Sequence, residues 1–521
     1  MVTNMKRKLK KILKSLISQK TIIIILLILQ VALLIYAFLR LNMEYRYINA
    51  VFTCIALIIT IYILNKHDNP AYKIAWIIPL LLVPLFATAA YFLFVNQYGT
   101  RKVRARNNEK FIETKPYLRQ SEAVAEELKK EDMNIYHQAQ YVNNYGGYPI
   151  YQNSSSKYLK VGEEAFEVMK EELKKAKHFI FLEYFIIDQG EMWSEILDIL
   201  LEKVSQGVEV RLMYDGMGSA FILPYHYDRK LNKLGIKCKV FNPFRPFLSS
   251  IQNNRDHRKI LVIDGHTAFT GGINLADEYI NRIQRFGYWK DTGIMVKGDA
   301  AWSFTMMFLQ IWEIVDNGGD IHNYDDFRPQ KYLPQPIKTD GFVMPYCDTP
   351  LDNENIGENI YFNIIASAKK YVYICTPYLI LDNEMVTILG YAAKSGVDVK
   401  IITPGHADKW YAKYVAWSYY KELISLGVEI YEYDGFNHGK MFVSDDEKAV
   451  VGSINLDFRS LYLHFESSAF LYKTQSIADI KADFDDMLKN HSERISLEDC
   501  ERRPVFKKII SSFLRLFAPL L

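Results

Sequence analysis

The sequence predicts an α/β protein in which two duplicated α/β domains pack about a pseudo-twofold axis, preceded by N-terminal transmembrane helices. Three observations carry this expectation. Long apolar runs fill much of the chain before residue 96. From about Tyr151 onward, strand-like and helix-like segments alternate. That programme then runs a second time, with matched segments offset by 181–192 residues.

The chain of 521 residues is long enough for two or three domains. Its first segment, 1–20, is basic, with Lys6, Arg7, Lys8, Lys10, Lys11, Lys14 and Lys20. Three apolar runs follow at 22–39, 47–64 and 74–95, the last holding Pro79 and Pro84. A helix needs about 20 apolar residues to cross the hydrocarbon core, so 21–96 reads as a membrane segment of two or three spans. A cleaved signal peptide fits poorly, because the first run is long and a second follows at once. Arg101, Lys102, Arg104, Arg106 and Lys110 lie beyond the third run. Basic residues on both flanks favour the cytoplasmic side and require an even number of crossings. The twin-proline run is the easiest to make kinked or re-entrant. A multi-pass protein of the cell membrane with a cytoplasmic catalytic domain is expected.

Residues 97–150 are polar and read as a connector with a helical patch around 121–130. The first α/β domain is placed at 151–335. Its helix-like stretch 162–176 precedes the strand "HFIFLEYFII", a helix near 193–205 precedes "VEVRLMYD", and "LNKLG" leads into "IKCKVFN". Strands alternating with helices imply βαβ units and a largely parallel, buried sheet. The second domain, 336–500, repeats this: "SAKKYVYICTPYLI" echoes "KAKHFIFLEYFII", and "SGVDVKIITP" echoes "QGVEVRLMYD". Five scattered cysteines without C-x-x-C spacing read as free thiols. Sixty-three Lys and Arg against 60 Asp and Glu leave no basic field that would favour nucleic acid.

Each domain carries the same constellation. His257, Lys259 and Asp264 form H-x-K-x4-D, followed by Gly271, Gly272, Ile273 and Asn274. His438, Lys440 and Asp445 repeat it, followed by Gly452, Ser453, Ile454 and Asn455. With only 11 His in the chain, two copies with equal downstream spacing are not an accident. On a strand, residues i and i+2 share a face, so each half presents one imidazole beside one ammonium. Two such half-sites meeting in one cleft suit a phosphodiester: Lys259, Lys440, Asn274 and Asn455 to hold non-bridging oxygens, one imidazole to attack phosphorus, the other to pass a proton to the leaving alkoxide. Such a pair works without metal or other cofactor. Each ring needs an acceptor to fix its tautomer, and Asp291 and Glu466, each beyond its motif, are the candidates. Asp264 and Asp445 stand at odd spacing from their lysines and are expected to brace the site through a salt bridge or turn.

The doubled H-x-K-x4-D with G-G/S-x-N resembles the phospholipase D superfamily. "NNRDHRKILVIDG", "GYWKDTGI", "TPYLILD" and "SINLDFRSLYLHFES" narrow the resemblance to bacterial cardiolipin synthases, from roughly residue 70 to the C-terminus. It implies that two phosphatidylglycerols give cardiolipin and glycerol through a phosphatidyl-histidine, with His257 as nucleophile and His438 as acid and then base. Leu381 and His464 depart from the family pattern. A hydrolytic phospholipase D and a non-catalytic membrane scaffold are the alternatives. Exchange of one phosphodiester for another requires no nucleotide, and the chain holds no G-x4-G-K-[ST] loop.

In 501–521, Phe506, Ile509, Ile510, Phe513, Leu516 and Phe517 recur at helical spacing between Lys507, Lys508 and Arg515. A basic amphipathic helix of this kind can lie among headgroups of anionic membrane lipid or dock on the protein itself.

Overall fold

The computed structural model describes residues 46–94, 100–243, 253–315, 323–333 and 340–520, together with Leu29, Ala32, Tyr36 and four single positions between 319 and 338. The basic segment 1–20 and, apart from those three positions, the apolar run 22–39 lie outside the described residues. The chain divides into an N-terminal unit up to Arg101 and a larger unit holding both α/β halves.

In the N-terminal unit the second apolar run forms the helix Arg46–Asn65. Its stretch Tyr47–Asn65 is the one helix among the described residues long and apolar enough to cross a membrane. The third run is two helices, Pro70–Leu82 and Pro84–Phe94. Val83 between them leaves the helical region, with φ −137° and ψ 67°, because Pro84 disfavours the α conformation in the residue before it. Each piece is too short to span alone. The three helices share a small core of Ala56, Ile59, Ile63, Leu80, Ala87 and Tyr91, and Trp76 meets Tyr91 edge to face at 5.4 Å.

Among the described residues the larger unit contains two large sheets and a third of two short strands. The first half supplies β1 (Ser154–Leu159), β2 (Phe179–Tyr184), β3 (Glu209–Asp215), β4 (Lys237–Phe241), β5 (Arg255–Asp256), β6 (Lys259–Ile263), β7 (Thr267–Gly271), β8 (Trp289–Lys290) and β9 (Gly293–Gly298). The second supplies β10 (Phe342–Asp348), β11 (Tyr371–Cys375), β12 (Asp398–Pro404), β13 (Glu429–Tyr433), β14 (Phe436–Asn437), β15 (Met441–Ser444), β16 (Lys448–Gly452), β17 (His464–Tyr472) and β18 (Ser492–Ile495). The spatial orders are β1-β9-β7-β6-β2-β3-β4 and β10-β17-β16-β15-β11-β12-β13-β18. Apart from the edge strand β18 they correspond strand for strand, as the duplicated sequence predicts.

The sheets are mixed, which corrects the expectation of a largely parallel one. Strands β2, β3 and β4 run parallel, as do β11, β12 and β13. Beyond them β6, β7, β9 and β1, and their second-half counterparts, pair antiparallel. The reason is local. Only Asp264, Gly265 and His266 separate β6 from β7, with Asp264 at φ 48° and Gly265 at φ 68°. A parallel crossover takes a dozen or more residues, so so short a link closes a hairpin. Asp445 and Asp446, at φ 57° and 59°, turn the second hairpin in the same way.

The halves also exchange elements. The helix Ala301–Ile314, buried on nearly every side, packs on β2, β6, β7 and β9 and reaches β10 of the other half. The helix Ser476–Asn490 likewise packs on β15 and β16 and reaches β1. More consequentially, β5 pairs parallel with β17, and β14 pairs parallel with β8.

Candidate active site

Those two short pairings build the site. His257 follows β5, and its N–H donates to the Phe465 carbonyl at 2.9 Å; His438 follows β14, and its N–H donates to the Lys290 carbonyl at 2.7 Å. Each histidine is thereby held beside the carboxylate-bearing strand of the other half. His257 Nδ1 lies 2.9 and 3.0 Å from the two oxygens of Glu466. His438 Nδ1 lies 2.6 Å from Asp291 Oδ2. The tautomer expectation therefore holds with the partners crossed between halves. A ring that donates Nδ1–H to a carboxylate keeps its Nε2 lone pair for chemistry.

The lysines follow the strand period. Lys259 Nζ donates to the His257 carbonyl at 2.5 Å, and Lys440 Nζ donates to the His438 carbonyl. Arg258, between His257 and Lys259, faces the other way into a buried pair with Glu183 at 2.5 Å and Asp256 at 3.2 Å. All four functional cations and imidazoles are buried. Burial is the main cause that depresses the His257 pKa, and the charges of Lys259, Lys440 and His438 add to it. His438 is depressed to about 4, by burial first and then by Lys440, against the pull of Asp291. Burial likewise lowers Lys259 to about 7 and Lys440 to about 8, with Glu466 and Asp291 opposing in both cases. Charges from both halves thus act on every member, which makes one electrostatic cluster of the two motifs.

The carboxylates are held in turn. Asp291 Oδ1 accepts the Thr292 N–H at 2.8 Å, and the Ser453 hydroxyl donates to Glu466. A Cβ on Gly272, the counterpart of Ser453, would lie 2.1 Å from Asp291 Oδ1 and 3.0 Å from the His438 carbonyl. The glycine of the motif is there to let Asp291 reach His438.

Asp264 and Asp445 do not join the cluster. Asp264 accepts the N–H groups of Lys177, His178 and Phe179, each at 2.8 Å. Asp445 accepts those of Lys369, Lys370 and Tyr371 at 2.8–3.0 Å. Each ties its hairpin to the start of the neighbouring strand, bracing by turn geometry and backbone amides. The asparagines differ from each other. Asn274 accepts from the Ile186 N–H at 3.0 Å and donates to the Tyr279 hydroxyl at 2.7 Å, so it clamps a loop. Asn455 Oδ1 is buried without a hydrogen-bond partner among the described residues.

The sequence reading did not place His464 in the site. Its ring lies 5.5 Å from that of His257. The signal was its position two residues before Glu466 on β17, hence on the same face. Trp289 occupies the equivalent place two residues before Asp291, with its ring 5.4 Å from His438.

The family model described as "Cardiolipin synthase, PLD-like domain" matches residues 169–288 and 361–488, one match in each half. A second, described as "Phospholipase_D-nuclease N-terminal", matches residues 51–95. A cardiolipin synthase of Alkalihalophilus pseudofirmus is 35% identical over 91% of this chain and 94% of its own length. Cardiolipin synthase 1 of Bacillus anthracis is 32% identical over 92% and 94%, and an uncharacterized protein of Streptococcus mutans is 46% identical over 88% and 99%. The crystal structure of phosphatidylserine synthase from Haemophilus influenzae superposes with a TM-score of 0.54 at 15% identity, covering 74% of this chain and 97% of that one, which reflects a shared fold. The chain belongs to the cardiolipin synthase family of the phospholipase D superfamily.

Proposed function

We propose that the protein is a cardiolipin synthase, a phosphatidyltransferase that moves the phosphatidyl group of one phosphatidylglycerol to the terminal hydroxyl of another, releasing glycerol. The observation that carries this reading is the crossed pair His257–Glu466 and His438–Asp291 within one buried cluster. Neutral His257 attacks phosphorus through Nε2 while Glu466 takes up the positive charge that develops on the ring through Nδ1–H. Lys259 and Lys440 stabilise the equatorial oxygens.

The acid in this first step is His438, which must carry a proton although its pKa in the free site is about 4. A bound phosphodiester anion supplies the correction. A unit charge about 4 Å away at an effective dielectric of about 20 is worth about 4 kcal/mol, enough to raise the pKa of the ring into the neutral range. Glycerol leaves with the His438 proton; the acceptor hydroxyl then returns a proton to His438 as it displaces His257 from phosphorus. Atoms and charge balance without a further reactant.

Lipid substrates call for a site at a bilayer. The C-terminal helix Val505–Leu516 supports this. It docks on the helix Trp410–Ser425 through its polar side: Ser511 is buried, Arg515 pairs with Glu422 at 2.8 Å and covers Tyr419. Val505, Phe506, Ile509 and Phe513 are left exposed, the reverse of a soluble surface helix and suited to the acyl boundary. We place the catalytic unit on the cytoplasmic face of a multi-pass membrane protein, because Arg101, Lys102, Arg104 and Arg106 follow the apolar segment. Expression in cells lacking other cardiolipin synthases tests the activity. Cardiolipin is the expected product; phosphatidic acid in its place would favour the hydrolase reading.

A further inference from the structure

His464 is a third imidazole with no task in the chemistry above. Both its ring nitrogens are buried and neither has a hydrogen-bond partner among the described residues. Leaving a buried polar group unsatisfied is costly, so the arrangement calls for a ligand. Its Nδ1 lies 3.7 Å from Glu466 Oε1, too far for a hydrogen bond. The same carboxylate faces Nδ1 of His257 at 2.9 Å. One donor atom from each of His257, His464 and Glu466 falls within 4.8 Å of the others. Ligands about 2.0–2.2 Å from a tetrahedral zinc stand about 3.4 Å apart, so small side-chain movements would close this triangle on an ion.

We propose that His257, His464 and Glu466 form a reversible inhibitory site for a divalent transition metal of the zinc class. Two imidazoles and a carboxylate are a ligand set for such ions, and three protein ligands leave a fourth position open. The inhibition follows from the tautomer. A metal on Nδ1 of His257 displaces the proton that Glu466 otherwise accepts, and the neutral ring then carries its proton on Nε2. The nitrogen that attacks phosphorus has lost its lone pair. The metal also takes Glu466 away from its orienting role. Among the described residues His438 has no such group: Trp289 stands at the equivalent position and offers no ligand lone pair. Binding stands on the geometry alone; its effect on rate rests on the proposed function.

The test uses the full-length protein in detergent with phosphatidylglycerol. Metal binding is read by the visible absorption of Co²⁺ and by equilibrium dialysis of Zn²⁺, and activity by cardiolipin formed with and without chelator. The wild type is expected to bind one ion per chain at this site and to lose activity, with recovery on chelation. His464→Asn is expected to keep its metal-free activity, to lose the His-ligand Co²⁺ spectrum and to need at least tenfold more Zn²⁺ for half-inhibition. Should the Asn variant not fold, His464→Phe keeps a ring in the slot and serves the same purpose. Because lipid phosphate also binds Zn²⁺, the comparison between chains decides. Equal inhibition of wild type and His464 variant, or no Co²⁺ spectrum in the wild type, overturns the site. A metal-free enzyme that makes no cardiolipin overturns the proposed function instead and leaves the binding measurement standing.

Discussion

Glu466 lies 209 residues beyond His257 in the chain and 2.9 Å from its Nδ1 in space. The bond exists because β5, two residues long, pairs with β17 of the other half, and the mirrored pairing of β14 with β8 sets Asp291 on His438. Neither half therefore holds a correctly oriented histidine on its own. The duplication is a functional requirement as well as an evolutionary record.

Replacing either carboxylate by its amide should leave the fold intact and remove the fixed tautomer. Glu466→Gln and Asp291→Asn are each expected to lower kcat by about 10³–10⁴-fold, the scale for amide replacement of a histidine-orienting carboxylate, with little change in KM. Steady-state kinetics on phosphatidylglycerol together with far-UV circular dichroism check this. Wild-type kcat in either variant would remove that carboxylate from the mechanism.

Gly272→Ala puts a methyl group 2.1 Å from Asp291 Oδ1. Aspartate is short and its other oxygen is committed to His438, so the carboxylate must leave the ring or the backbone must move. Activity should fall at least as far as in Asp291→Asn. At Ser453, where a side chain is already accommodated, Ser453→Ala loses the hydroxyl bond to Glu466 and the hydroxyl's bonds with the Ser467 N–H and carbonyl, at about 1 kcal/mol for each hydrogen bond, and should cost less activity than Glu466→Gln.

Asp264 and Asp445 predict a stability phenotype. Each accepts three backbone N–H groups, and substitution by Ala orphans them at a cost of about 1–3 kcal/mol or more. Thermal unfolding should show the loss, and the residual folded protein should retain its KM. For Asp445, burial alone would raise the pKa, but the three amides and Lys448 outweigh it and hold the carboxyl below its usual value. A carboxyl so depressed stabilises the fold above its unfolded pKa of about 3.9. The contribution disappears as pH falls through the lower folded value, so wild type and Asp445→Ala should converge in stability only in strong acid.

The pH dependence of kcat/KM reports the free site. Lys259, lowered to about 7, and Lys440, lowered to about 8, lose their charge as pH rises, and with it their hold on the diester. An alkaline limb between about pH 7 and 8 is expected, well below the ordinary lysine range. On the acid side the nucleophile His257 resists protonation because burial depresses it, so activity should persist below the ordinary histidine value of about 6.5. Initial rates across this range, at fixed ionic strength, give both limbs.

Much of this was legible in the sequence because it is local. Strands β2, β3, β11 and β12 are apolar runs of the right length, and the spacing of His257, Lys259 and Asp264 matches that of His438, Lys440 and Asp445 residue for residue. The mixed character of the sheets was missed because it depends on three-residue hairpins whose positive-φ Asp264 and Asp445 were read first as motif members. The crossing of His257 to Glu466 was invisible for a stronger reason: two residues of parallel pairing, Arg255 with His464 and Asp256 with Phe465, carry no periodicity. Likewise Asn274 and Asn455 look alike in sequence, and only tertiary contacts show one clamped between Ile186 and Tyr279 and the other with a side-chain carbonyl that has no partner among the described residues.

The account turns on His257 taking the phosphatidyl group while the other half supplies the proton. Phosphorus-labelled phosphatidylglycerol, a rapid alkaline quench that preserves phosphoramidates, and peptide mapping test this directly. The label should sit on His257, appear before cardiolipin, and vanish in His257→Ala. Cardiolipin made at full rate with no labelled histidine, or with the label on another residue, would contradict it.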